Sequence, residues 1–159
     1  MIELLSRDAS LVDLAEESHL IPLPIDASVS SLSAILLDEH YYACIQKGSM
    51  QIDGVSVLEP EYLLAFKAKA WLDLSERKNK GETIRSSDLK KHRNDVFRLS
   101  QLLTASEPCE VHDSIQADLL RFFEKIKDDG EINLKQLGVQ GITVDDVEQL
   151  IKTVFDIGR

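Results

Sequence analysis

The chain has 159 residues and a formal net charge of −10, with 28 acidic residues against 18 lysines and arginines. This length suits one medium domain or a domain with a small appendage. A hydrophobic share of 43% is enough to build a core. The acidic balance argues against a simple non-specific nucleic-acid coat, but a local basic patch could still exist, so nucleic-acid binding stays open.

Membrane insertion and secretion are not expected. No apolar run approaches the roughly 18 to 20 residues that a membrane helix needs, and the start of the chain lacks the basic and apolar regions of a signal peptide. Cys44 and Cys109 lie far apart and match no metal-binding spacing, so we expect no metal site built on them. Two lone cysteines favour a reduced, cytoplasmic protein over a disulfide scaffold.

The N-terminal third predicts a small mixed sheet. Ile2–Ser6 has the composition of a core strand, residues 20–25 are extended because of Pro22 and Pro24, and residues 32–37 form an apolar run of strand length. Domains more often begin with a few loose residues. A strand at the very start therefore leads us to expect either that Met1 lies inside a longer ancestral domain or that the chain was trimmed.

A short helix and a hairpin come next. Asp38 can cap a helix that continues to Gly48. Within Met50–Leu58, the pair Asp53-Gly54 separates alternating apolar residues, which is the strongest hairpin signal in the chain.

Two amphipathic helices follow between Leu58 and Leu103. The first begins at Pro60 and runs to about Lys78. We predict that Ser86 or Ser87 caps the second, which runs to about Thr104.

After Pro108 the pattern is helical. It predicts helices over residues 111–127 and from a Thr143 cap onward, with a short helix or turn at 134–138. The predicted fold is therefore α+β, with a helix-packed sheet in the N-terminal third and a helical C-terminal module. We place the domains at residues 1–107 and 108–159.

Lys67 interrupts the apolar stripe of the first helix, between Leu63 and Leu74. Its stem could pack while its amine reaches water, or its ammonium could face a cleft and hold an anion such as phosphate. Lys69, by contrast, is predicted to pair with Asp73 one turn later on the surface.

His92 lies within the apolar stripe of the second helix, and Asp95 borders it. Asp95 could form a salt bridge with a cation on the first helix, and His92 could be a satisfied core or boundary histidine. The conjunction of Lys67, His92 and Asp95 on faces that could meet is more suggestive of a site, because a charge on a core-facing stripe is costly unless it is paired or faces a cleft.

Residues 59–70, EPEYLLAFKAKA, and residues 91–99, KHRNDVFRL, resemble two motifs of AbiEii-type nucleotidyltransferase-like proteins, bacterial relatives of the DNA polymerase β superfamily. That family has a Pro-Glu-x-Leu-Leu-Ala-x-Lys helix and a later helix with a Lys-Asp-x-x-Asp pattern. The resemblance covers roughly residues 31–104. It implies that Lys67 and Lys91 contact nucleotide phosphates and that Asp95 positions or polarises the acceptor or a second lysine. Glu3 would correspond to the third acidic residue of the family's sheet.

The chain departs from the family in two respects. His92 replaces the first Asp of the second motif, and the family's N-terminal half, with its Gly-Ser turn and Asp-x-Asp pair, has no counterpart in this sequence. Two-metal nucleotidyl transfer needs clustered carboxylates, which Glu3 alone cannot supply.

These features lead to two functional hypotheses. The first is a truncated or catalytically degenerate nucleotidyltransferase-like protein of bacterial toxin–antitoxin or phage-defence type, which would use a nucleoside triphosphate with Mg²⁺ in a full-length form. The second is a non-enzymatic interaction module, which would form a homodimer or bind an antitoxin-like protein.

Overall fold

The computed structural model describes residues 38–106 and 108–158. In these residues it contains five α-helices and one antiparallel hairpin, which confirms the α+β class. The elements are α1 (Glu39–Gly48), β1 (Ser49–Ile52), β2 (Val55–Leu58), α2 (Pro60–Asn79), α3 (Ser86–Ser100), α4 (Asp113–Ile126), a 3₁₀ helix (Leu134–Leu137) and α5 (Val144–Val154). None of the helices in this part of the chain is both long enough and apolar enough to cross a bilayer. The strands predicted at 2–6, 20–25 and 32–37 lie outside the described residues.

Helix α1 and the hairpin form where local signals predict them. The Asp38 carboxylate accepts hydrogen bonds from the backbone N–H groups of His40 at 2.9 Å and Tyr41 at 3.3 Å, which confirms the cap. Asp53 and Gly54 adopt φ values of 50° and 79°, the left-handed conformation that a type I′ turn requires. Ile52 consequently pairs with Val55, and Met50 pairs with Val57.

Helix α2 is the centre of the described fold. Buried side chains occur on most of its circumference, because α1, α3 and α4 all pack against it. The buried members are Tyr62, Leu64, Ala65, Phe66, Ala68, Ala70, Trp71, Leu72 and Leu74. Pro60 occupies its first turn, as predicted.

Helix α3 differs from its prediction at both ends. Its N-cap is Arg85, which makes no side-chain capping bond, and Ser86 is already helical. At the other end the apolar pattern continues to the buried Leu103, but the helix stops at Ser100. Beyond it, the N–H groups of Leu102 and Leu103 bond three residues back, at 2.9 and 3.3 Å. The chain therefore tightens into turns while keeping the same residues buried, and the predicted cap and end were wrong.

The C-terminal helices pack against α2 and α3 through an aromatic cluster. The rings of Trp71 and Phe122 meet edge to face with their centroids 5.3 Å apart, and Phe97 and Phe123 do so at 6.5 Å. Val147, Ile151 and Val154 of α5 belong to the same hydrophobic core. At the start of α5, Thr143 and Asp146 form a reciprocal capping box. Side chains from both sides of residue 107 thus share one core cluster, while the division into domains at that residue stays a prediction.

Lys69 is not paired with Asp73, contrary to prediction. Its Nζ lies 2.7 Å from Oδ2 of Asp118 on α4, and the same oxygen accepts a hydrogen bond from the buried Tyr41 hydroxyl at 3.1 Å. The Lys69 ammonium also lies 5.5 Å from the centre of the Tyr41 ring. One carboxylate on α4 therefore joins α1, α2 and α4.

Replacing Asp118 with Ala should destabilise the protein by about 2 kcal/mol, because it leaves the buried Tyr41 hydroxyl and the partly buried Lys69 ammonium without their partner. The free energy of unfolding from urea titration measures this effect. Asp73→Asn is the matched control and should change the stability by less than about 0.5 kcal/mol. Equal effects of the two substitutions would contradict this assignment.

Candidate functional site

Lys67 and Asp95 meet between α2 and α3. Lys67 follows the buried Phe66 and precedes the buried Ala68, so its stem leaves a largely buried helix. Its Nζ lies 3.2 Å from Oδ2 of Asp95, and the two side chains are 25% and 21% exposed. The structure thus brings together the two residues that the sequence singled out. It places the Lys67 amine at the edge of the helix pair, within reach of solvent.

Arg98 adds a second cation to this pair. Its Nη1 lies 3.3 Å from Oδ1 of Asp95, so the two oxygens of one carboxylate face two cations. With Lys67 and Arg98 charged and Asp95 ionised, the group carries a net charge of about +1. A single carboxylate shared by two cations leaves donor capacity for a further anion.

His92 lies beside the pair and favours its neutral form. Burial lowers the pKa of the imidazole below its ordinary value of 6.5, the Lys67 ammonium lowers it further, and Asp95 opposes both effects. Its Nδ1 is buried and has no hydrogen-bond partner. His92 therefore borders the site as a neutral ring, and protonating it would place another cation next to Lys67.

The other two predicted site residues are placed differently. Lys91 is exposed on α3, and its charge also disfavours protonation of His92. We find no ion pair for Lys91 within residues 38–106 and 108–158. Glu3 lies outside the described residues. The site thus combines one residue of α2, Lys67, with three residues of α3: Lys91, His92 and Asp95.

A groove of about 270 Å³ lies elsewhere, between the start of α2 and the segment after α3. Glu59, Glu61 and Glu110 outnumber Lys47 along its walls, so its charge does not suit a phosphate. Cys109 also lines it. Burial raises the pKa of that thiol, and a hydrogen bond from Tyr62 partly offsets the effect. No sequence pattern indicated this groove, because its walls come from segments far apart in the chain.

A divalent cation does not fit the described residues. Within them no group of three or more His, Cys, Asp or Glu side chains could hold a metal ion. Mg²⁺ bound by protein usually needs one or two well-placed carboxylates together with substrate phosphates. Asp95 is already engaged by Lys67 and Arg98.

Comparisons with protein-family models, with curated proteins and with solved structures find no match for this chain.

The stability of the protein should fall as the pH is lowered through about 6.5, because His92 is held neutral in the folded state. Since its folded pKa lies below the unfolded value, the unfolded chain binds more protons between the two values. The contribution of the neutral His92 ring to folding stability is therefore fully present above about pH 6.5, and it is lost as the pH falls toward the lower, folded pKa. The range from about pH 7.5 to about pH 5 spans the ordinary histidine pKa. Urea unfolding over this range should show a decline in stability for the wild type and a smaller decline for His92→Gln.

His40→Gln is the control for this measurement and should keep the decline that His92 causes. An NMR titration of the His92 ring reports the same quantity directly. A midpoint at or above the ordinary histidine value would contradict the lowered pKa.

Proposed function

We propose that this chain is a catalytically degenerate nucleotidyltransferase-like protein whose α2–α3 pair binds the phosphates of a nucleotide. It would belong to a bacterial toxin–antitoxin or phage-defence system. The observation that carries the proposal is the contact between Lys67 and Asp95, 3.2 Å apart on neighbouring helices. Lys67 belongs to the first of the two resembling motifs and Asp95 to the second. Their contact adds support, because similarity in sequence alone does not require the two motifs to meet in space.

The charge of the site supports phosphate as the ligand. Lys67 and Arg98 lie on either side of a single carboxylate, and Lys91 adds an exposed positive charge on the same helix as Arg98. A phosphate oxygen could replace Asp95 as the partner of Lys67, since both are oxygen acceptors for an ammonium group. The site can therefore switch between an internal ion pair and a bound anion.

Weakened catalysis is the second part of the proposal. His92 occupies the position of the family's first acidic residue in the second motif, and no Asp-x-Asp pair occurs in this sequence. A neutral imidazole next to the Lys67 charge lacks the carboxylate oxygens that Mg²⁺ prefers as ligands. Nucleotide binding without turnover is the property that we expect of this chain.

Nucleotide binding by calorimetry tests the proposal with a pair of opposite substitutions. Lys67→Ala should weaken binding of a nucleoside triphosphate roughly tenfold, because a charge-assisted contact to phosphate is lost. Asp95→Asn should strengthen it by roughly threefold, because the carboxylate that competes for Lys67 is removed.

Lys135→Ala, an exposed lysine on the 3₁₀ helix, is the matched control and should bind like the wild type. If the Lys67–Asp95 pair only stabilises the fold, both site variants should lose stability and none of the proteins should bind nucleotide. Absence of binding by the wild type, with and without magnesium, contradicts the proposal.

The hairpin favours the alternative function, a non-enzymatic interaction module. Its register places Met50, Ile52, Val55 and Val57 on one face, and the first three are 40%, 52% and 61% exposed. A two-stranded hairpin with a bare apolar face is marginal in water. Such a face is typical of a surface that another protein covers. In this alternative a second copy of the chain covers it, and the strand edges, which have no partner among residues 38–106 and 108–158, pair across the interface.

Light scattering at several protein concentrations tests this alternative. We expect the wild type to form a dimer and Ile52→Lys to be monomeric, because a charge on the apolar face would have to be desolvated in the interface. Gln51→Lys, on the opposite face of the same strand, is the matched control and should remain dimeric. A wild type that stays monomeric at all concentrations contradicts dimerisation through the hairpin.

A further inference from the structure

The charges of this chain are strongly segregated along the sequence. Residues 77–98 contain eight of the 18 lysines and arginines but only three of the 28 acidic residues. This segment therefore carries a formal charge of +5, and the rest of the chain carries −15. The segment covers the end of α2, the loop that follows and most of α3.

Four cations of this segment lie at the tip of the α2–α3 helical hairpin. Lys78 is in the last turn of α2, Lys80 is its C-cap, Arg85 is the N-cap of α3, and Lys90 follows about 8 Å further along α3. All four are exposed, and within the described residues we find no ion pair for any of them. We call these four residues the basic tip.

Within the described part of the chain, the neighbouring charges do not neutralise the basic tip. Glu82 in the loop is bound to Arg77, with 2.8 Å between Oε2 and Nε. Glu76, one turn earlier on α2, faces Arg121 and Lys125 of α4. Of the acidic residues between positions 76 and 90, this leaves Asp88 in the first turn of α3, which accepts a hydrogen bond from the Ser87 hydroxyl at 3.4 Å. The tip thus keeps an excess of positive charge in an otherwise acidic protein.

We propose that the basic tip binds an acidic peptide segment of a partner protein. Carboxylates complement four exposed cations, and a short segment can contact the tip without running over the acidic remainder of the surface. A nucleic acid fits the observations less well. No Phe, Tyr or Trp of the described residues is exposed, so these residues offer no platform on which bases could stack. The remaining charge of −15 would also repel a long phosphate backbone.

Fluorescence anisotropy with the full chain tests this assignment. The probe is a labelled peptide of about eight residues rich in Glu and Asp, which is long enough to span the tip when extended. The triple variant Lys80→Ala/Arg85→Ala/Lys90→Ala should weaken binding about fivefold or more. Lys135→Ala is the control and should bind the peptide like the wild type. Because the substituted side chains are exposed, thermal unfolding should show that the triple variant is folded.

Salt dependence gives a second measurement that needs no variant. Binding of the peptide to the wild type should weaken severalfold between about 50 and 200 mM salt, and a neutral peptide of the same length should not bind. Tighter binding of a single-stranded oligonucleotide of equal charge, or of an anionic lipid vesicle, would overturn the assignment to an acidic peptide. So would equal affinity of the wild type and the triple variant. Nucleotide binding at Lys67 is a separate measurement, so either proposal can fail alone.

Discussion

Helix α2 is buried on most of its circumference, and the helices that cover it must also provide partners for its two central lysines, Lys67 and Lys69. Lys67 and Lys69 alternate with buried residues at 66, 68 and 70, so neither lysine lies on an open polar face. Each leaves the helix toward a different neighbour and meets a carboxylate there. Lys67 meets Asp95 on α3, and Lys69 meets Asp118 on α4. A lysine on such a helix would otherwise lose hydration without compensation, so the two ion pairs allow α2 to be covered from both sides.

The two ion pairs differ in what surrounds them. Asp118 also accepts the Tyr41 hydroxyl and is the less exposed carboxylate of the two, so that pair belongs to the packing of three helices. Asp95 instead faces two cations, with a neutral His92 beside them. At about one quarter exposure, the Lys67–Asp95 contact stabilises the fold by only about 1 kcal/mol or less. A contact of this strength can open for an anion at small cost, which suits a binding site better than a structural joint.

Local signals were enough to predict much of the secondary structure. The Asp38 cap, the Asp53-Gly54 turn and the Thr143 cap each depend on side chains that act within a few residues, and all three are confirmed. The predicted end of α3 was wrong because the same apolar spacing suits a helix and the tighter turns that replace it. The predicted partner of Lys69 was wrong for another reason. Asp73 is near in sequence, but Asp118 is brought close by tertiary packing, which spacing alone does not reveal. The stacking of His40 on His112, with ring centroids 3.4 Å apart, was unforeseen for the same reason.

If Lys67 binds phosphate as proposed, its ammonium group exchanges Asp95 for the ligand, whereas Lys69 keeps Asp118. NMR of the lysine side-chain ammonium groups, recorded while a nucleoside triphosphate is added, distinguishes the two lysines. We expect the Lys67 signal to move in a saturable way and the Lys69 signal to stay in place, because Asp118 and Tyr41 hold that ammonium group. A Lys67 signal that does not respond at millimolar nucleotide, or equal movement of both signals, would rule out phosphate binding at Lys67.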